Sequence, residues 1–331
     1  MGAAAADSSR FAPPPRRWVV DRRLMGIAIT TEVVAVALAY MALYVPVLGP
    51  KLTRAEFNRH WVAAVVAAVV VAVFGAIIVR ATLRARRLED AAAPVATAPT
   101  DHGALPRIPR ALRLERVPAV WAKRAAACSV ATLPVTIGVD GSLWLIWLAL
   151  LAPWVPIVVH ESRHKFTYDA VFASFGLMVL LQLLHMVEHS TQVVQLAVTG
   201  GTLADSHGVI GQLDFETVHF FADTALWFSL GLMAVIFRGR NAWLWVAFAA
   251  ASLHEVEHLY LFWMYVFEHT VYLSGGAAGI MGHYGLIGSP LDRPYLHYTY
   301  NFIVFVPLLI AFWDQGRYVD RVRPSTSPAD A

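Results

Sequence analysis

The chain has 331 residues, 58% of them hydrophobic and 15% charged, with a formal net charge of +3. Soluble domains carry about 25% charged residues, so this composition excludes an ordinary soluble protein. A lone Cys128 excludes an internal disulfide and any cysteine-built metal site.

Taken in order, residues 1–24 are rich in Ala, Pro and Arg without periodicity and read as a disordered cytoplasmic tail. The apolar run 25–47 is too long for a signal-peptide core and reads as a retained span. A second span covers 61–80, and the Ala/Pro/Arg-rich stretch 83–115 reads as a linker within the N-terminal helical region 25–165. Spans three and four are expected at 121–138, with Pro134 inside, and at 143–160, ending in the charged group His160–Lys165. Four more follow at 168–198, 215–237, 241–272 and 295–314, and 317–331 is a second cytoplasmic tail. The fold expected is all-α, a polytopic membrane protein of about eight transmembrane helices.

Cations sort by side. Arg16, Arg17, Arg22, Arg23, the Arg80–Arg87 group, Arg163, Lys165, Arg238, Arg240, Arg317, Arg321 and Arg323 fall on one face, against Lys51, Arg54, Arg59 and Arg293 on the other. The positive-inside rule then makes both termini cytoplasmic in a cell membrane and the loops 199–214 and 273–294 external. The pattern is one of topology; no nucleic-acid partner is expected.

The strongest signal is a duplication. His185-Met186-Val187-Glu188-His189 returns as His254-Glu255-Val256-Glu257-His258, both reading His-x-x-Glu-His. Further on, Asp214, His219 and Asp223 are echoed at identical spacing by Asp292, His297 and Asn301. Gly200-Gly201 and His207 find counterparts in Gly275-Gly276 and His283 at looser spacing. The C-terminal four helices thus read as a tandem two-helix repeat, 166–238 and 239–316, related by a pseudo-two-fold axis along the membrane normal.

At about 100° per residue, positions i, i+3 and i+4 share one helix face. Each motif therefore points two imidazoles and a carboxylate the same way from inside an apolar helix. An ionisable group at mid-membrane costs about 2.5–3.5 kcal/mol on insertion scales, and a bound cation offsets that cost. His185, Glu188, His189, His219, Asp223, His254, Glu257, His258 and His297 are the expected metal ligands. Divided by the repeat they suit two transition-metal ions, Fe favoured, with Cu or Zn as alternatives. In ligand type the set is similar to that of the membrane-bound di-iron hydroxylases and desaturases, although their clustered His-x-x-His-His boxes are absent.

The first expectation is an O2-dependent oxidoreductase acting on an apolar or lipid-like substrate from the bilayer, with Asp223 as ligand or proton acceptor. Electrons would come from an external donor protein, because the chain has no nucleotide-binding glycine motif or Cys cluster. Alternatives are an intramembrane zinc hydrolase, a metal-ion transporter and bis-His haem binding. In the first of these His254-Glu255-x-x-His258 resembles the motif of membrane-embedded zinc proteases, which makes Glu255 a catalytic base. His207 and His283 with their aspartates are candidate orienters of ligand imidazoles. Gln182, Gln192 and Gln195 are candidates for interhelical bonding or an access path.

Overall fold

The computed structural model describes residues 54–92, 109, 112–114, 116–138, 143–201, 206–209, 216–271, 279–283 and 285–322. The predicted tail 1–24, the predicted span 25–47 and the residues past 322 lie outside them. Seven helices are labelled here: α1 Arg54–Ala92, α2 Ala119–Gly138, α3 Leu143–Leu151, α4 Val155–Val198, α5 Glu216–Ile236, α6 Ala242–Phe267 and α7 Arg293–Val322. A 3-10 turn, Ala152–Trp154, joins α3 to α4, and a single turn, His269–Val271, follows α6. No strand occurs among the described residues.

Five stretches are long and apolar enough to cross a membrane: His60–Arg87, Leu145–Phe166, Ala170–Val198, His219–Ile236 and Arg293–Val319. These are the marks of a helical membrane protein. The α6 helix is not among the five, because its interior carries His254, Glu255, Glu257 and His258.

Two sequence expectations are corrected. The expected separation of spans 143–160 and 168–198 is absent: α4 runs unbroken for 44 residues, Val155–Val198. The charged group there supports the helix instead, with Glu161 and Lys165 paired one turn apart at 3.6 Å. Spans four and five are therefore parts of one helical path and not opposed crossings. Likewise, 83–92 is not linker, since α1 continues to Ala92; its Ala, Leu and Arg are strong helix formers.

The bundle is ordered α4–α7–α6–α5, with α1 lying behind α5 and α6, while α4 and α5 themselves meet only sparsely. The α6 helix, touched by α1, α5 and α7, is the axis of the core. Ala63, Ala64, Ala67 and Ala68 form the buried face of α1, small enough to let backbones approach closely. Phe74 and Trp227 pack at 4.1 Å, and Phe172 stacks on Phe312 at 4.9 Å.

The α5–α6 corner is tightly specified. Arg238 and Gly239 both have positive φ, and the Gly239 amide donates to Ala234 O at 2.7 Å, ending α5 in a left-handed cap. Arg86 of α1 donates to the Arg238 and Gly239 carbonyls, a cation at a helix C-terminus. Asn241 then starts α6: its Oδ1 accepts from Leu244 N at 3.2 Å, and its Nδ2 donates to Ala311 O of α7 at 2.8 Å. This corner fixes the rotation of α6, and hence where its histidines point.

Candidate metal centre

Four helices bring their polar faces to one end of the bundle. The α4 helix supplies His185 and His189, α5 supplies His219 and Asp223 from its first turns, α6 supplies His254 and His258, and α7 opens with His297. Within each motif the spacing of four stacks the two imidazoles. His185 Nε2 and His189 Nε2 stand 2.8 Å apart, and His254 Nε2 and His258 Nε2 stand 3.0 Å apart. Such a spacing suits an N–H···N bond. It equally suits two nitrogens on one ion, which at metal–nitrogen lengths of about 2.0–2.1 Å sit roughly 3 Å apart.

Asp223 joins the two motifs, with 2.8 Å to His258 Nε2 and 3.6 Å to His185 Nδ1. His297 is central: its ring lies 4.4 Å from that of His189, 4.8 Å from His254 and 4.9 Å from His258. Its Nε2 is buried with no hydrogen-bond partner among the described residues. Two overlapping groups result, each with donor atoms within 4.8 Å of one another: His185, His189, His219 and His297, and Asp223, His254, His258 and His297. Buried His and Asp groups capable of holding a metal are thus present.

The two glutamates of the motifs go elsewhere. Glu188 accepts from Val209 N at 2.9 Å; Glu257 accepts from Ile280 N at 2.8 Å and Met281 N at 3.3 Å. Both carboxylates sit under loop turns, and neither belongs to the two donor groups. Each turn is entered by a glycine in the left-handed region, Gly208 at φ +78 and Gly279 at φ +84. A Cβ at either would fall on the glutamate oxygen beneath it. Consecutive amides around a left-handed residue make a concavity suited to carboxylate oxygens, and here the occupant is the protein's own glutamate side chain.

Glu255 turns away as well: its Oε1 accepts from Thr224 Oγ1 of α5 at 2.8 Å. His207 is exposed, and His283 pairs with Asp292 at 3.0 Å in an exposed position; neither joins a donor group. Asp214 lies outside the described residues. The glutamines divide. Gln182 donates to Asn301 Oδ1 at 2.8 Å, bonding α4 to α7, and Gln195 grips Gly208 through both its amide and its carbonyl. Gln192 Oε1 stands 3.4 Å from His189 Nδ1, on the far side of the ring from His185, a contact that selects which nitrogen faces inward.

Reading the sequence missed the glutamate clasps, the glycines above them and the Tyr300 ring stacked on His254 at 5.0 Å. The sequence mark of the glycine clasp is Gly208-Val209 against Gly279-Ile280, which is out of register with the pairing of His207 and His283. No family model matches the chain, and no curated protein or solved structure matches it either.

Proposed function

We propose that this chain is an integral membrane metalloprotein whose His/Asp centre holds two transition-metal ions between two helix pairs, and that it works as an oxidoreductase. The observation that carries the reading is the meeting of six imidazoles and one carboxylate from four helices in two overlapping, buried groups. So many donors on apolar helices is costly without a cation to gather them. With Glu188 and Glu257 bonded to loop amides, the donor set is dominated by nitrogen. Such a set suits Cu or Fe for redox chemistry and Zn for hydrolysis.

The tandem repeat belongs to this reading. Each half runs His-x-x-Glu-His, then a left-handed glycine whose turn caps that glutamate, then a helix opening near a ligand histidine. The cation bias orients the Arg86 and Arg238 end toward the cytoplasm and the centre toward the opposite face of a cell membrane.

The chemistry expected is oxygen insertion into a C–H bond of an apolar molecule from the bilayer. One atom of O2 enters the substrate; the other leaves as water, with two electrons and two protons from an external donor protein. When bound, the metal supplies O2 activation, and the chain's part is to hold it in a dry site. The zinc-hydrolase reading is weaker, because the Thr224 bond turns Glu255 toward α5.

Metal analysis of the full chain purified in detergent tests the proposal. Two equivalents of copper or iron, with O2 uptake once a reductant and an apolar substrate are added, is the expected result. A chain that purifies and refolds without metal, or that takes up a single zinc, would sink it.

A further inference from the structure

The two donor groups are not equivalent, and the difference traces to one position. Four residues after His219 stands Asp223; four residues after His297 stands Asn301. Asn301 is fully buried and already engaged, accepting from Gln182 Nε2 at 2.8 Å and donating to its own His297 O at 3.1 Å. One group therefore contains a carboxylate and the other is four imidazoles. Both draw on the single side chain of His297.

Resting on the metal reading above, we propose that the two ions are held unequally. The first is enclosed by Asp223, His254, His258 and His297. The second rests on His185, His189 and His219 alone, with an open coordination position.

Charge decides the order of filling. A divalent ion in a low-dielectric site is drawn to the only carboxylate in the cluster. Asp223 is 4% exposed and in contact with His258. His297 is shared, its ring 4.8 and 4.9 Å from His254 and His258 and 4.4 Å from His189, and the group that fills first commits it. The remaining group then has three protein ligands. Four protein ligands close an ion off, whereas three leave room for an exogenous ligand, the distinction between structural and reactive sites. The packing agrees with this division. The helices carrying His185 and His219 meet only sparsely, and His185 is 16% exposed while His254 and His258 are 3% and 0%. The three-imidazole position is thus the one nearer the sparsely packed α4–α5 seam. An apolar, membrane-dissolved substrate would reach that ion and not the enclosed one.

The test is a stepwise Co2+ titration of the metal-free full chain in detergent, followed by visible absorption, with azide as a small probe of an open position. Two steps are expected, the second at least about tenfold weaker, and azide should shift only the absorption of the second. His185→Asn and His189→Gln should remove the second step and spare the first. Asp223→Asn should abolish the gap between the steps. Two equal equivalents, an azide shift in the first step, or loss of the tight step in His185→Asn would overturn the inference and leave a metal centre standing. No Co2+ uptake by the wild-type chain would overturn the metal reading itself. His185, at the edge of the bundle, keeps the test decisive if the Asp223 or His189 variant does not fold.

Discussion

The same five-residue motif occupies two different environments. In α6, the second copy lies on the axis of the bundle, walled by α1, α5 and α7, with His254, Glu255, Glu257 and His258 all buried. In α4, the first copy lies at the edge, where His185 is 16% exposed and Leu184 beside it is 42% exposed. The carboxylate device is shared, since each glutamate is capped by amides that follow a left-handed glycine. What differs is the surrounding freedom. A recurring motif can therefore keep its capped carboxylate while one copy lies in a fixed wall and the other on an accessible face.

Variants can break or sharpen that contrast. The largest effect is expected at the axis: His258→Ala removes a fully buried ring and leaves Asp223 without its 2.8 Å partner. Stranding a buried charge costs about 3–5 kcal/mol, so thermal unfolding in detergent should shift strongly and the bound metal should fall. Gly279→Ala comes next. It forces a Cβ onto Glu257 Oε1 in a left-handed backbone and should cost about 2–3 kcal/mol. Gly208→Ala makes the same clash with Glu188, a half-buried side chain at the edge that can swing aside; about 1 kcal/mol is expected. Equal losses for the two glycine variants, measured side by side, would erase the distinction between axis and edge.

A smaller change is expected from Gln182→Ala, which deletes one buried amide bond to Asn301. About 1–2 kcal/mol of stability should go with it, with metal content unchanged. Smallest of all is Asp292→Asn. Its pairing with His283 is exposed, at 67% and 42% for the two side chains, so less than about 0.5 kcal/mol is expected. A metal loss in Asp292→Asn would mean that the outer-loop histidine acts on the centre after all.

Much of the arrangement could be read before any coordinates. The helical period shows that His185 and His189 share a face, as do His254 and His258, and the matching spacing of His219 and His297 puts all six at one depth. Their meeting with Asp223 follows from periodicity, which sequence carries plainly. The destination of Glu188 and Glu257 does not, because their partners are backbone amides of Val209, Ile280 and Met281. Any residue has an amide, so no letter marks it; only the glycine before each turn hints at it. The unbroken helix past His160 is illegible for a different reason. A run of charge does not by itself mark a loop, and Glu161 and Lys165 at a spacing of four stabilise a helix.

That unbroken helix has a mechanical consequence. At 1.5 Å per residue, the 44 residues of α4 span about 66 Å, roughly twice the ~30 Å hydrocarbon thickness of a bilayer. Its one glycine, Gly176, packs closely against the Phe312 ring of α7. Val155 is 21 residues below that point and His185 is 9 above it, arms of about 32 and 14 Å. Pivoted there as a rigid rod, the helix would carry a 1 Å sideways push at the lower end to the imidazole as about 0.4 Å. Whatever grips the far end of this lever has a hand on the His185 imidazole.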